Sequence, residues 1–420
     1  MTSETSLITD RRTFLGSLGA SATLACLPRQ ATARTRATAS PPRLVVVLLR
    51  GAADGLNIVV PHTQANYYRL RPRIAIARPG SPGGALELDG RFGLHPALAP
   101  LLPYWQRGRL AFVHAAGSSD PSRSHFDAQD NMATGTPGVH RTASGWLNRL
   151  GGALPDGSDG QFPTVRLISI GPTLPRIAFG PHPVTTIPHG QAAARPGALD
   201  RARLGRLFDS IYASDPKLGP ILESYTRERG AVRASIAAAD EHARAASAGM
   251  PRNATFAGDA VRLAALMRRD PRVLMGFIPV SGWDTHAAQA GQLATALSRL
   301  GHGLDAMARE LGPVFDDTIV VVMSEFGRSV AENGSLGTDH GHGNVMWLLG
   351  GRVAGGRVHA DWPGLDEAQL FERRDLAVTT DFRAVLAQVC QRHMGVSDSG
   401  LADVFPGLPH EADSFRLTRV

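Results

Sequence analysis

The chain has 420 residues, enough for one large or two modest domains with a substantial core. Its formal net charge is +7, but the arginines are scattered and aromatics make up only 6 % of residues, which excludes a basic, aromatic-interleaved nucleic-acid stripe. With only Cys26 and Cys390 present, a disulfide-stapled fold is excluded as well.

The first stretch reads as a targeting signal. Asp10-Arg11-Arg12-Thr13-Phe14-Leu15 is a twin-arginine start, Leu15 to Leu27 is short and mildly apolar, and Ala31-Thr32-Ala33 offers a small-x-small cleavage site. The apolar run falls far below the ~20 residues of a spanning helix. Residues 1–33 are therefore expected to engage the twin-arginine translocase, leaving a periplasmic or secreted chain with no membrane span. Lipoprotein processing at Cys26 is a variant, with Thr23 a poor residue three places before it. The twin-arginine route carries folded cargo, which suits a metal site filled before export. Residues 34–43 read as a disordered lead and 44–420 as one domain.

Leu44 to Leu49 is the first buried-strand candidate and runs into Arg50-Gly51-Ala52-Ala53-Asp54-Gly55, a glycine turn that carries a carboxylate. Asp54 reads as a metal ligand or as an ordinary turn aspartate. Tyr67 to Arg73 and Leu94 to Arg107 read as short helices on either side of a Pro/Gly-rich excursion at 79–84. Leu110 to His114 is a second strand and leads into Ser118-Ser119-Asp120-Pro121-Ser122-Arg123-Ser124-His125-Phe126-Asp127. A strand, a glycine turn, several hydroxyls and a helix start can present a nucleophile, although Ser and Asp also cap helices. Ser119 and Ser124 are among the hydroxyls so placed, and His125 and Asp127 add chemistry beyond a cap.

Residues 144–150 suggest a helix, Thr164 to Ile170 a strand, and Gly171 to Pro196 a long loop or lid. Leu204 to Ala248 is helical in composition and reads as an inserted helical segment. Val273 to Val280 is a strand ending in Gly282-Trp283-Asp284-Thr285-His286, where Asp284 and His286 form an Asp-x-His. Leu293, Leu297, Leu300, Leu304, Met307 and Leu311 form one helical stripe facing a core. Ile319 to Met323 is a strand followed by Ser324-Glu325-Phe326-Gly327-Arg328, and a loop then carries Asp339-His340-Gly341-His342. Val345 to Leu349 is a further strand, and Arg383 to Met394 a closing helix that holds Cys390.

Alternating strands and helices predict a parallel sheet with right-handed crossovers. Parallel strands share one carboxyl edge, so Asp54, Asp284, His286 and Glu325 should gather there, with His340 and His342 supplied by the loop. Nitrogen and oxygen donors of this kind suit Zn or Mn, as one ion or two.

The order of these motifs resembles the alkaline phosphatase and sulfatase superfamily. More closely, RGAADGLN, SHFDAQD, GWDTH, SEFGR and DHGHGN resemble a family of exported bacterial proteins carrying a domain of unknown function. The resemblance implies an α/β fold: an alkaline-phosphatase-like three-layer sandwich with a mostly parallel central sheet between helices. It also implies divalent metal and a hydroxyl nucleophile acting on a phosphate or sulfate ester. Asp54, Asp284, His286, Glu325 and His340 or His342 match expected ligand positions, whereas Phe326 stands where histidine is usual, which leaves one metal, or replacement by His125 or the second histidine of the loop. Ser119-Asp120-Pro121-Ser122-Arg123 has the S-x-P-x-R spacing that sulfatases use, but Ser124, in the family-like SHF, ranks ahead of Ser119 as nucleophile. The expected activity is a metal-dependent hydrolase of an anionic small-molecule ester, with Arg123 or Arg328 gripping its oxygens. The alternative is a secreted binding protein that keeps the fold without turnover.

Overall fold

The computed structural model describes residues 40–139, 141–154, 167–190, 255–408 and 415–419, with isolated positions between 203 and 215. The expected export signal and the helical segment at 204–248 lie outside this set, apart from those isolated positions.

Strand β1 (Arg43–Arg50) is the centre of the main sheet. It begins one residue before the expected boundary, inside the stretch read as a disordered lead, and Arg43 is buried there. A short helix, α1 (Gly55–Ile58), and α2 (Ala65–Leu70) follow, around a small sheet of β2 (Val59–Val60), β3 (Leu86–Glu87) and β4 (Gly93–Leu94). The predicted helix at 94–107 is a 3-10 turn over Pro96–Leu101 and then α3 (Leu102–Gln106), because Pro96, Pro100 and Pro103 remove the backbone donors a longer α-helix needs. Next come β5 (Leu110–Gly117), α4 (His125–Thr134), α5 (Trp146–Ala153), β6 (Leu167–Ile170) and β7 (Val184–Ile187). Strand β7 lies within the segment read as a loop; its Val-Thr-Thr-Ile run is β-branched and pairs with β6.

Helix α6 (Thr255–Arg269), β8 (Met275–Ser281), α7 (Gln289–Leu311), β9 (Thr318–Ser324) and β10 (Asn344–Gly350) form the second half. Strands β11 (Arg357–His359) and β12 (Thr380–Asp381), α8 (Phe382–Gln388) and α9 (Asp398–Val404) close the chain. Between α8 and α9 the last predicted helix loosens into a π-turn at Val389–His393, where Cys390 is buried.

The main sheet runs β11-β5-β10-β9-β1-β8-β6-β7, with β12 also beside β5. Strand β1 pairs in parallel with both β8 and β9, as do β6 with β8 and β7. The all-parallel expectation fails at β10, which is antiparallel to both β5 and β9. No helix lies between β9 and β10 to carry a crossover, so the connecting loop turns the chain back on itself. The α/β class with a mostly parallel sheet between helices stands.

Alternation along β1 builds the three layers. Val45, Val47 and Leu49 face a core that includes the stripe Leu293, Leu297, Leu300, Leu304, Met307 and Leu311 of α7. Leu44, Val46 and Leu48 face Trp146, Leu147, Leu150 and Phe382 on the other side. Among the described residues, no helix is long and apolar enough to cross a membrane.

His114, fully buried in β5, donates from Nε2 to the Val59 carbonyl and accepts the Ala115 N–H at Nδ1, so it is neutral. Burial lowers its pKa to about 4, and does the same for His95 and His359. The unfolded chain takes up these protons near pH 6.5, so stability is full above that pH and falls towards pH 4, by about 3 kcal/mol per such histidine at most. Urea unfolding across this window should show that fall, and His114→Gln, which gains no proton, should make it shallower.

Candidate metal centre

The parallel register sets the site. Arg50 at the end of β1 lies beside Ser281 of β8, and Leu49 beside Ser324 of β9, so three strands release their chains at one edge. Gly51 turns there with φ +117°; a Cβ on it would stand 2.7 Å from the Asp284 amide nitrogen. Glycine thus lets the turns after β1 and β8 approach closely. Arg328, buried behind them, donates to the carbonyls of Gly51, Ala52, Trp283 and Thr338 and to Asp284 Oδ1. Burial opposes ionisation of Asp284, but this guanidinium outweighs it and holds the carboxyl below its usual range.

Three imidazoles surround Asp284. His125, the first residue of α4, donates from Nδ1 to Glu325 Oε1 at 2.9 Å. Glu325 is buried, which opposes its charge, yet bonds from His125, Gln129 and the Gly51 amide keep it ionised and its pKa low. The same bond to Glu325 raises the pKa of His125. His340 places Nδ1 3.0 Å from the Arg123 carbonyl, which can only accept, so the hydrogen is on Nδ1. His286 places Nδ1 3.4 Å from Asp339 Oδ1, a looser contact with the same sense. Each neutral ring therefore turns an Nε2 lone pair inward.

Those lone pairs converge. His286 Nε2 lies 3.0 Å from His340 Nε2 and 3.0 Å from Asp284 Oδ1. His340 Nε2 is 3.2 Å and His125 Nε2 3.6 Å from the Asp284 carboxylate. Ligand atoms of His125, Asp284 and His340 all fall within 4.8 Å of one another. His125 Nε2 is buried and has no hydrogen-bond partner. Two donors on one tetrahedral zinc stand roughly 3.3 Å apart, given bonds of about 2.0–2.1 Å. The observed separations bracket that spacing, so His125, Asp284 and His340 fit a divalent ion, with His286 Nε2 beside two of them. Side chains of Asp284 and His286 are each 45 % exposed, which leaves one face open to solvent.

Phe326 stacks on His125 with ring centres 5.1 Å apart and lies 5.0 Å from His340. It wedges the two imidazoles where the resemblance led one to expect a further ligand.

Other nominated residues lie elsewhere. Asp54 is fully buried beneath the site, its carboxylate paired with both terminal nitrogens of Arg71. Glu325 acts on His125 rather than joining the convergent atoms. His342 is buried against Phe371, with ring centres 4.4 Å apart. Arg123 is held by Asp375 and Glu372, and Arg328 is buried, so neither presents a fork to a ligand. Ser124 caps α4, its Oγ 3.5 Å from the Asp127 amide, and Ser119 is exposed.

Three residues were not nominated from sequence. Gln129, one helical turn after His125, reaches Glu325 from the same helix face, a spacing that was legible. Arg50 is exposed and gives only Nε, to Gln129 Oε1 at 2.9 Å; no carboxylate pairs with it among the described residues. Gln289 heads the apolar stripe of α7 and is fully buried.

The sequence family described as "Protein of unknown function (DUF1501)" matches residues 41–405. No curated protein matches the chain. Among solved structures, Ps i-CgsB in complex with k-i-k-neocarrahexaose is similar at 10 % identity and a TM-score of 0.40, over 85 % of this chain and 72 % of its own. The C-terminal periplasmic domain of EcEptC from Escherichia coli, in complex with Zn, is similar at 10 % identity and a TM-score of 0.34, over 74 % and 73 %. Alkaline phosphatase from the Antarctic bacterium TAB5 is similar at 9 % identity and a TM-score of 0.30, over 74 % and 91 %. These likenesses are distant.

Calorimetric titration of chelator-treated protein should show about one zinc per chain. His125→Ala and His340→Ala should abolish that binding. His342→Ala should retain it, and Glu325→Gln should weaken it by about 10–100-fold, the usual cost of losing a carboxylate behind a ligating imidazole.

Proposed function

We propose, for this chain that belongs to the DUF1501 family, a metal-dependent hydrolase of phosphate or sulfate monoesters. The observation that carries this reading is the convergence of three Nδ1-anchored imidazoles on Asp284, with His125 Nε2 buried and unpartnered. His125, Asp284, His286 and His340 are the donors. A divalent ion held by them, zinc or manganese, supplies Lewis-acid polarisation of the ester oxygen and lowers the pKa of the attacking hydroxyl.

The remaining work falls to the chain's own groups. Ser124 precedes His125 at the start of α4, and its long contact with the Asp127 amide leaves the hydroxyl weakly held. It is the proposed nucleophile: its Oγ bonds to phosphorus or sulfur as the bond to the ester oxygen breaks, the serine proton leaves with the alcohol, and water then hydrolyses the seryl ester to release the acid and restore the hydroxyl. The N-terminus of α4 favours negative charge on the substrate oxygens. Arg50 replaces Arg123 and Arg328 as the proposed anion-gripping guanidinium. Its terminal nitrogens are unpaired among the described residues, and Gln129 tethers it to the Glu325–His125 pair. The twin-arginine leader adds export of the folded chain to this reading.

The occupied state of Arg123 and Arg328 favours a second reading, a secreted binding protein of the same fold. Turnover separates the two. Zinc- or manganese-loaded protein should hydrolyse p-nitrophenyl phosphate or p-nitrophenyl sulfate, and chelation should stop it. Arg50→Ala should raise KM about 10-fold or more with a smaller change in kcat. Ser124→Ala should abolish turnover while metal binding persists. Metal-loaded protein that binds these esters without cleaving them would establish the binding-protein reading instead.

A further inference from the structure

Gln289 occupies the first position of α7, at the head of a stripe that is otherwise leucine and methionine. A buried amide in such a place is costly unless every polar atom is used. Here they are used in one particular way. Its Oε1 accepts from Thr285 Oγ1 at 3.0 Å and from Thr338 Oγ1 at 2.6 Å. Its Nε2 donates to Asp54 Oδ2 at 2.5 Å. The orientation of the amide is forced: a carboxylate only accepts, so the NH2 must face Asp54 and the oxygen must face the two hydroxyls.

Asp54 is itself immobilised. Arg71 binds both its oxygens and also donates to the carbonyls of Ser329 and Val330. The amide of Gln289 therefore hangs from a fixed anchor beneath the site. Thr285 stands between Asp284 and His286, and Thr338 stands two residues before His340. All of Asp54, Thr285, Gln289 and Thr338 are buried, so water does not compete for these bonds. Main-chain contacts run alongside, from the Gln289 amide to the Leu336 carbonyl and from the Thr338 amide to the Thr285 carbonyl. The side chain adds what these cannot, a common reference point for both loops.

We propose that Gln289 is a positioning residue of the metal centre, with Asp54 as its anchor. It sets the spacing between the loop that carries Asp284 and His286 and the loop that carries His340. The 3.0 Å approach of His286 to His340 depends on that spacing. Metal-ligand geometry tolerates little error, and loosening one hydrogen bond behind a ligand costs affinity rather than merely stability. This inference rests on the metal-centre reading above.

The test uses Thr338→Val and Thr285→Val, which keep side-chain volume and delete one hydroxyl each, with Thr338→Ser as the rescue and Gln289→Leu as the severe variant. Affinity for Zn2+ is measured by competition with a chromophoric chelator, and the visible spectrum of the Co2+ form reports coordination. Thermal midpoints of the metal-free chains are recorded in parallel, and Leu300→Ala, from the same helix stripe, serves as a stability control. We expect Thr338→Val to bind Zn2+ about 10–100-fold more weakly and to alter the Co2+ spectrum, with Thr338→Ser close to wild type. Leu300→Ala should lower the midpoint yet bind Zn2+ as wild type does. Lowered midpoints with unchanged Zn2+ affinity and Co2+ spectrum in both threonine-to-valine variants would overturn the positioning role while leaving the metal centre intact. A wild-type chain that binds neither ion would instead remove the metal centre itself, and the inference with it.

Discussion

The constraint on which this structure turns is the mutual repulsion of electron pairs. Three imidazoles each face an acceptor at Nδ1, so in the neutral form each presents an unshared pair at Nε2. A carboxylate held in its charged form stands among them. Arg328 donates to one oxygen of that carboxylate, but no neutral ring keeps a hydrogen on the inward face. The proposed cation would resolve the conflict, and the spacing of the donors suits one of zinc size. The fold itself supplies the force that keeps these side chains together.

That force comes from buried polar bonds behind the ligands. Arg328 ties the turns after β1 and β8 and the loop before His340 into one unit by donating to four backbone carbonyls. Glu325 fixes His125 and is itself fixed by the Gly51 amide and Gln129. Phe326 fills the space between two of the rings. The parallel register of β1, β8 and β9 makes all of this local, since it delivers each turn to the same edge.

Much of this architecture was legible in the residues. The β-branched runs at 44–49 and 319–323 marked buried strands, and the leucine stripe of α7 marked its core face. The direction of β10 was not legible, because an apolar run carries no sign of its polarity and the loop before it could lead either way. Asp284 and His286 could be read as candidates from strand-end spacing, and His340 from the histidine-rich loop. Asp54 and Glu325 also sit after strand ends, but their carboxylates are turned to Arg71 and His125. Residue type and position cannot distinguish a ligand from the group that holds a ligand. Arg328 shows the same ambiguity: as a cation in the loop after a strand it reads as an anion clamp, yet its partners are the Asp284 carboxylate and carbonyls contributed from 10 to 277 residues away in the chain. His125 was nominated chiefly for catalysis, with a ligand role open only as a replacement for the histidine absent at 326; the closing of the chain around Asp284 is what sets it among the convergent atoms.

The measurement that tests the central claim most directly is X-ray absorption at the zinc edge of the zinc-loaded chain, joined to an anomalous difference map from crystals of it. The account predicts one zinc per chain, bound by imidazole nitrogens of His125, His286 and His340 and by an oxygen of Asp284. A spectrum without imidazole scattering, or an ion seated on Asp54 or His342 and absent from this cluster, would contradict it.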